Sequence, residues 1–134
     1  LILIITSDLN ELHKVEDFAQ IVSKKASLSE EQSDNMAIVL TELANNAIVH
    51  GNKLILSKKV YLRAIFQADK VEVSVKDEGN GFDPAGLSDP TDPENIWKEN
   101  GRGVFLVKNL VDEVKFVSSP GGMEVVIIQY KKKK

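Results

Sequence analysis

Glu42, Asn46 and His50 are spaced four and four residues apart. On a helix that spacing lines a carboxylate, an amide and an imidazole along one face. Leu40, Leu43 and Ala47 fall on the opposite side and can be buried. A polar row beside an apolar face is costly unless something binds there. An amide oxygen at Asn46 suits a Mg²⁺ that otherwise keeps waters and substrate phosphates. A carboxylate one turn earlier, at Glu42, suits a base that takes a proton from an attacking hydroxyl. By itself, such a face is also what a solvated helix surface looks like.

Two further motifs follow. Asp77-Glu78-Gly79-Asn80-Gly81 has the composition of a turn,. A two-residue hairpin turn would need a strand straight after it, and here a long loop follows. Gly79 and Gly81 allow close backbone approach to a ligand, and Asp77 can accept a hydrogen bond from an amino group. Gly101-Arg102-Gly103 opens a helical pattern. Backbone N–H groups at a helix start, with an arginine among them, make an anion site. The spacing is not that of a phosphate loop, nor of a dinucleotide fingerprint after the first strand of a βαβ unit. Each motif alone also fits an ordinary turn or loop end. Their order, with a long loop between the last two, is far more specific.

The elements that must position these residues follow from periodicity. Residues 1–6 form a strand ended by Thr6-Ser7-Asp8, a helix-capping region. Leu9, Leu12, Val15, Phe18, Ile21 and Val22 give an amphipathic helix to about Ala26,. Ser29 with Gln32 predicts a capping box for a second helix, apolar at Met36, Val39, Leu40, Leu43 and Ala47, with Gly51 as its C-terminal cap,. Residues 59–67 and 71–77 alternate as an antiparallel hairpin. Residues 82–100 hold three prolines and no apolar period, which predicts a long functional loop,. A short third helix carries Val104, Phe105, Val107, Leu110 and Val111. Strands at 114–118 and 123–130 meet across Ser119-Pro120-Gly121-Gly122,. The expected fold is an α/β (α+β) two-layer sandwich: a mixed, mostly antiparallel five-stranded sheet with about three helices on one face.

The totals fit one domain. The 134 residues suffice for a single core, and 43% apolar with 28% charged residues is ordinary for a globular chain,. A net charge of -3 argues against direct nucleic-acid binding,. The four lysines at 131–134 read as a solvated basic tail,. With no cysteine, a reducing compartment such as the cytoplasm fits,. No apolar run approaches the roughly 20 residues of a membrane span. The opening Leu-Ile-Leu-Ile-Ile is too short for a leader and reads as a buried strand,.

Taken together, the three motifs resemble the N, G1 and G2 boxes of the GHKL ATP-binding superfamily, over essentially the whole chain. Within it, Glu-x-x-x-Asn-Ala-x-x-His-Gly at 42–51 looks most like the small bacterial anti-sigma factor serine kinases. The resemblance implies the Bergerat, or histidine-kinase-like ATPase, fold as a single domain over 1–130, with an ATP lid at about 82–100. It implies ATP and Mg²⁺ as cofactors, Asn46 as the metal ligand and Asp77 as the acceptor of the adenine amino group. Gly79 and Gly81 would shape the adenine pocket. Gly101, Arg102 and Gly103 would meet the phosphates, with Val104 completing the nucleotide-binding set. Glu42 would be the catalytic base for a substrate serine; histidine kinases typically have Asn there, since a histidine nucleophile needs no such base. His50 is expected to shape the pocket rim without doing chemistry. The implied role is a Mg-ATP-dependent serine/threonine protein kinase with two protein partners, a sigma factor it sequesters and an anti-sigma antagonist it phosphorylates, acting as a possible homodimer away from nucleic acid and membrane. Related kinases often have Thr, reaching toward a phosphate, where this chain has Gly122-Met123-Glu124, and the lid is acidic. These departures favour the alternative, a non-catalytic ATP/ADP-sensing module of a larger signalling protein.

Overall fold

The computed structural model describes residues 1–79 and 101–131. Strand β1 (Ile2–Thr6) is followed by Asp8, whose side chain accepts from the Asn10 N–H at 2.9 Å and caps a 3-10 turn over Leu9–Glu11. Helix α1 (Leu12–Lys25) follows and buries Val15, Phe18, Ala19 and Val22, at the spacing its apolar residues predict. Helix α2 (Glu30–Asn46) opens on the expected capping box. Ser29 Oγ accepts from the Gln32 N–H at 3.1 Å, and Gln32 Oε1 accepts from the Ser29 N–H at 3.0 Å. Two amides at the helix start, which the helix itself cannot satisfy, are met in this way.

The rest of the chain is two hairpins and a helix. Strands β2 (Lys59–Phe66) and β3 (Lys70–Lys76) form the first hairpin. Helix α3 (Gly101–Leu110) leads to β4 (Glu113–Ser119) and β5 (Gly122–Tyr130), which turn on Pro120-Gly121. The sheet order is β1-β2-β3-β5-β4. Five strands and a helical layer match the expected sandwich, and every neighbouring pair is antiparallel. The reason lies in the connections: β1 reaches β2 only after two helices have reversed the chain, and α3 carries β4 past β5 to the far edge.

Pairing register decides which side chains meet the helices. Leu3, Leu62, Val75, Val125 and Phe116 lie directly opposite one another in a row across all five strands. Ala64, Val73, Ile127 and Val114 make the next row on the same face. These rows share one core with Val15, Phe18, Val39 and Leu40 of α1 and α2 and with Val107 of α3. A slip of one residue would turn Lys, Glu and Ser of β3 toward the helices, so the register is strongly specified. Among the described residues no helix covers the other face, and Ile2 and Ile4 are exposed there. Gln32 Nε2 also donates to the Tyr130 carbonyl at 3.0 Å, tying the start of α2 to the end of β5. Among the described residues no helix is long and apolar enough to cross a membrane.

Leu62 is fully buried in the central row. Leu62→Ala should lower stability by about 2–5 kcal/mol and Ser29→Ala, which removes the α2 cap, by about 1 kcal/mol. Urea denaturation read by far-ultraviolet circular dichroism would measure both, with the Leu62 variant the less stable.

Candidate functional site

Helix α2 runs without a break into one π-helical turn, Ala47–Gly51. The Asn52 N–H bonds the Ala47 carbonyl at 2.8 Å, five residues back. Such turns recur at functional sites because the wider winding re-aims a few side chains. Within α2, Glu42 and Asn46 lie one turn apart, and Asn46 Nδ2 donates to Glu42 Oε1 at 3.5 Å. Asn46 is buried, while Glu42 is half-buried. His50, also half-buried, sits in the wider turn and out of four-residue step with that pair. The expected row of three is therefore a pair followed by a displaced histidine.

Gly51 is not the left-handed cap the sequence predicts, since its φ is not positive. Lys53 (φ 53) and Leu54 (φ 60) make the left-handed exit, with the Leu54 N–H on the Ile48 carbonyl at 2.8 Å. Glycine is needed at 51 for a different reason. A Cβ there would overlap Asp77 Oδ2. The end of the π turn lies directly against the Asp77 carboxylate.

Asp77 leaves β3 only 5% exposed. Its N–H donates to the Met123 carbonyl at 3.0 Å. Its Oδ1 accepts from the N–H groups of Gly79 at 2.9 Å and Met123 at 3.0 Å. No described residue donates to Oδ2. Burial pushes the carboxyl pKa above its usual value, opposed by the Met123 and Gly79 N–H groups and by the charges of Lys58 and Lys76. Gly122 (φ 142) runs so close that a Cβ would overlap the Asp77 carbonyl. Position 123, read from the sequence as a phosphate contact missing or made by backbone, thus serves Asp77 through its backbone. The Met123 side chain joins the core, and its backbone amide holds the carboxylate.

Sequence reasoning missed Asn52 and Ser7, both fully buried. Asn52 Nδ2 donates to Ser7 Oγ and to the Lys59 carbonyl, each at 2.9 Å, while its Oδ1 accepts from the Glu78 N–H at 2.8 Å. Ser7 Oγ donates to the Lys58 carbonyl at 2.6 Å, and the Lys59 N–H bonds Glu78 Oε1. An Asn after His-Gly reads as a turn residue, and no single-sequence signal distinguishes it from this buried knot.

The structure thus brings Gly79 and Asp77 against the end of the π turn that follows Glu42 and Asn46. Gly81 and the loop at 82–100 lie outside the described residues, as do Lys132, Lys133 and Lys134 of the basic tail. Gly101, Arg102, Gly103 and Val104 form the first turn of α3, as expected, and α3 packs on α2. Among the described residues no three His, Asp or Glu side chains cluster as a metal cage. A cation here would rest on the hard oxygen of Asn46 together with oxygens of water and phosphate, which is how Mg²⁺ is commonly held. The open Oδ2 of the buried Asp77 suits a ligand that donates a hydrogen bond.

The five-stranded antiparallel sheet with its helical layer is the fold of a histidine kinase-like ATPase domain. A profile of the histidine kinase-like ATPase domain matches residues 5–129, and the chain belongs to that family. Among curated relatives, the anti-sigma F factor of Oceanobacillus iheyensis is 31% identical, over 61% of this chain and 58% of the relative, less than two thirds of its length. The serine-protein kinase RsbW of Bacillus subtilis is 28% identical over 81% of this chain and 71% of the relative. That of Listeria monocytogenes serovar 1/2a is 27% identical, over 81% of this chain and 73% of its own length. The solved RsbU and RsbW domains of a Mycobacterium tuberculosis protein superpose with a TM-score of 0.69 at 16% identity, covering 96% of this chain and 31% of that one. The catalytic domain of the histidine kinase ThkA gives 0.59 at 16% identity, covering 100% and 99%. At such identity the structural likeness speaks for the fold.

Two outcomes test this geometry. Gly51→Ala should cost about 1–3 kcal/mol in urea denaturation, as overpacking against Asp77 requires. For Asp77 the raised pKa means that the folded state holds the proton more tightly than the unfolded one. Its contribution is fully present below the unfolded carboxylate value of about 3.9 and is lost as pH rises through the folded pKa. The stability of the parent protein relative to Asp77→Asn should therefore rise as pH is lowered from 7 toward about 4. A flat difference between the two denaturation profiles would contradict the burial argument.

Proposed function

We propose that this domain, spanning residues 1–130, is a Mg-ATP-dependent serine/threonine protein kinase of the anti-sigma type. The observation that carries the reading is Glu42, a carboxylate one helical turn before the buried amide of Asn46 and 3.5 Å from it. A nucleotide sensor has no need of a carboxylate at that place. A kinase does, because a serine hydroxyl attacks well only as its proton leaves.

In this reading Asp77 Oδ2 accepts from the adenine amino group, with Gly79 and Gly81 bordering the base. The backbone amides of Gly101, Gly103 and Val104, at the start of α3, would meet the phosphates, with Arg102 adding a positive charge there. Asn46 would hold Mg²⁺, which when bound would neutralise charge on the phosphate oxygens. Glu42 takes the proton as the serine oxygen bonds the γ-phosphorus and the bond from that phosphorus to the bridging β–γ oxygen breaks, releasing ADP. Residues 82–100, outside the described part of the structure, would serve as the lid that keeps water from competing. The names of the relatives, anti-sigma F factor and serine-protein kinase RsbW, support a sigma factor and a phosphorylated antagonist protein as partners. A homodimer in the cytoplasm completes the proposal.

The Asp77 clamp would serve a non-catalytic ATP/ADP sensor equally, and the methionine at 123 leaves that second reading in play. Glu42→Gln separates the two. Nucleotide affinity should stay within about threefold, while transfer from labelled ATP to candidate antagonist proteins should fall about 10²–10⁴-fold. Transfer that survives the substitution unchanged would remove Glu42 as the base. Parent protein that binds ATP tightly and labels no candidate would favour the sensor.

A further inference from the structure

We infer that Asn52, acting with Glu78, is a positioning residue that sets base selectivity by fixing where the Asp77 carboxylate stands. The inference rests on the proposed reading of Asp77 as the acceptor for adenine. It starts from the completeness of the bonds around Asn52. Both N–H bonds of its amide are donated, to Ser7 Oγ and the Lys59 carbonyl, and its oxygen accepts from the Glu78 N–H. Only one orientation of the amide works. A flip would set an NH₂ against the Glu78 N–H and an oxygen against the Lys59 carbonyl, two repulsive contacts without water to relieve them. Asn52 is 0% exposed, so each lost bond would leave a buried polar group unmet,.

The placement of these bonds matters as much as their number. Asn52 follows Gly51, whose Cα lies against Asp77 Oδ2. Glu78 follows Asp77 and precedes Gly79, which donates to Asp77 Oδ1. The bond from the Glu78 N–H to Asn52 therefore sets the gap between the end of the π turn and the carboxylate. Glu78 is pinned a second time, through Oε1 on the Lys59 N–H. Met123 and Gly79 hold Oδ1 from the sheet side. Asn52 and Glu78 hold the backbone from the helix side, and the aim of Oδ2 needs both. A hydrogen bond to a charged acceptor discriminates only while geometry is kept within about 0.5 Å.

Inosine triphosphate tests this, because it carries a carbonyl oxygen where ATP carries the amino group. Affinities of both nucleotides with Mg²⁺ would be measured by competition against a fluorescent ATP analogue. The parent protein should prefer ATP by about ten- to a hundredfold, the worth of one hydrogen bond to a charged group. Asp77→Asn should abolish or invert the preference. Asn52→Ala should bring the ratio to within about threefold of unity, far below that hydrogen bond's worth. Glu78→Ala, which leaves the Asn52 knot bonded to the chain, should give an intermediate ratio. Val22→Ala in the α1 core should lower stability and keep the parent ratio, which separates positioning from general loosening. If Asp77→Asn loses the preference while Asn52→Ala and Glu78→Ala keep it, the inference is overturned and the reading of Asp77 stands. If the parent shows no preference, or Asp77→Asn retains one, the reading of Asp77 falls and the inference with it. Should Asn52→Ala not fold, Glu78→Ala decides alone.

Discussion

A single buried carboxylate organises this molecule's functional end. Asp77 stands where β3 finishes, with one oxygen taken by two backbone amides and the other, to which no described residue donates, set against Gly51. Burying that charge opposes its ionisation, as the raised pKa records, and the fold tolerates it because Gly79 and Met123 each aim an N–H at it,. Met123 lies on β5, so the clamp also fastens the central hairpin to the second one. Gly51 and Gly122 give way around it: a Cβ at either would enter space held by Asp77 atoms. Three segments distant in sequence thus converge on one residue.

A second, neutral knot keeps that convergence in register. Asn52 and Ser7 join the exit of β1, the end of the π turn, the entry to β2 and the residue after Asp77. Every donor and acceptor of the Asn52 amide is used, which is the condition under which a buried polar group specifies a structure and does not weaken it. The π turn serves the same end. Its extra residue carries Gly51 to the carboxylate and leaves Glu42 and Asn46 on regular α-helix behind it. Under the proposed function this separates the base and metal-binding residues from the residue that reads the nucleobase, so that each can be held by its own contacts.

The elements themselves were largely legible in the chain. Ser29 and Gln32 announce the start of α2, and both arms of the capping box form. Alternation in β2 and β3 marks the buried rows, and Leu62 and Val75 lie opposite each other in one of them. Asp77 and Gly79 were legible as a pair because aspartate and glycine stand out where a strand stops. Other features were not. Gly51 looked like a cap because helices often end on glycine, whereas its neighbour across space is what excludes a side chain. Asn52 looked like a turn residue because a buried amide and a solvated one are the same letter. Residue 123 looked like a lost phosphate contact, yet it works through its backbone, which every residue possesses.

Local signals, then, were determined by the sequence alone: the periods, the caps, the turns, and the residue types and order that mark an ATPase-like domain. These depend on neighbours within a few positions, and so they survive in a linear reading. The tertiary structure decided the convergence: Gly51 against Asp77, Met123 donating to it, and Asn52 bridging to Glu78. Those contacts join residues 26 to 46 positions apart. They follow from strand register and from the π turn, which no short window of sequence encodes. Which polar residues form a site was a matter of composition and order, but how tightly they are held was settled only when the chain closed on itself.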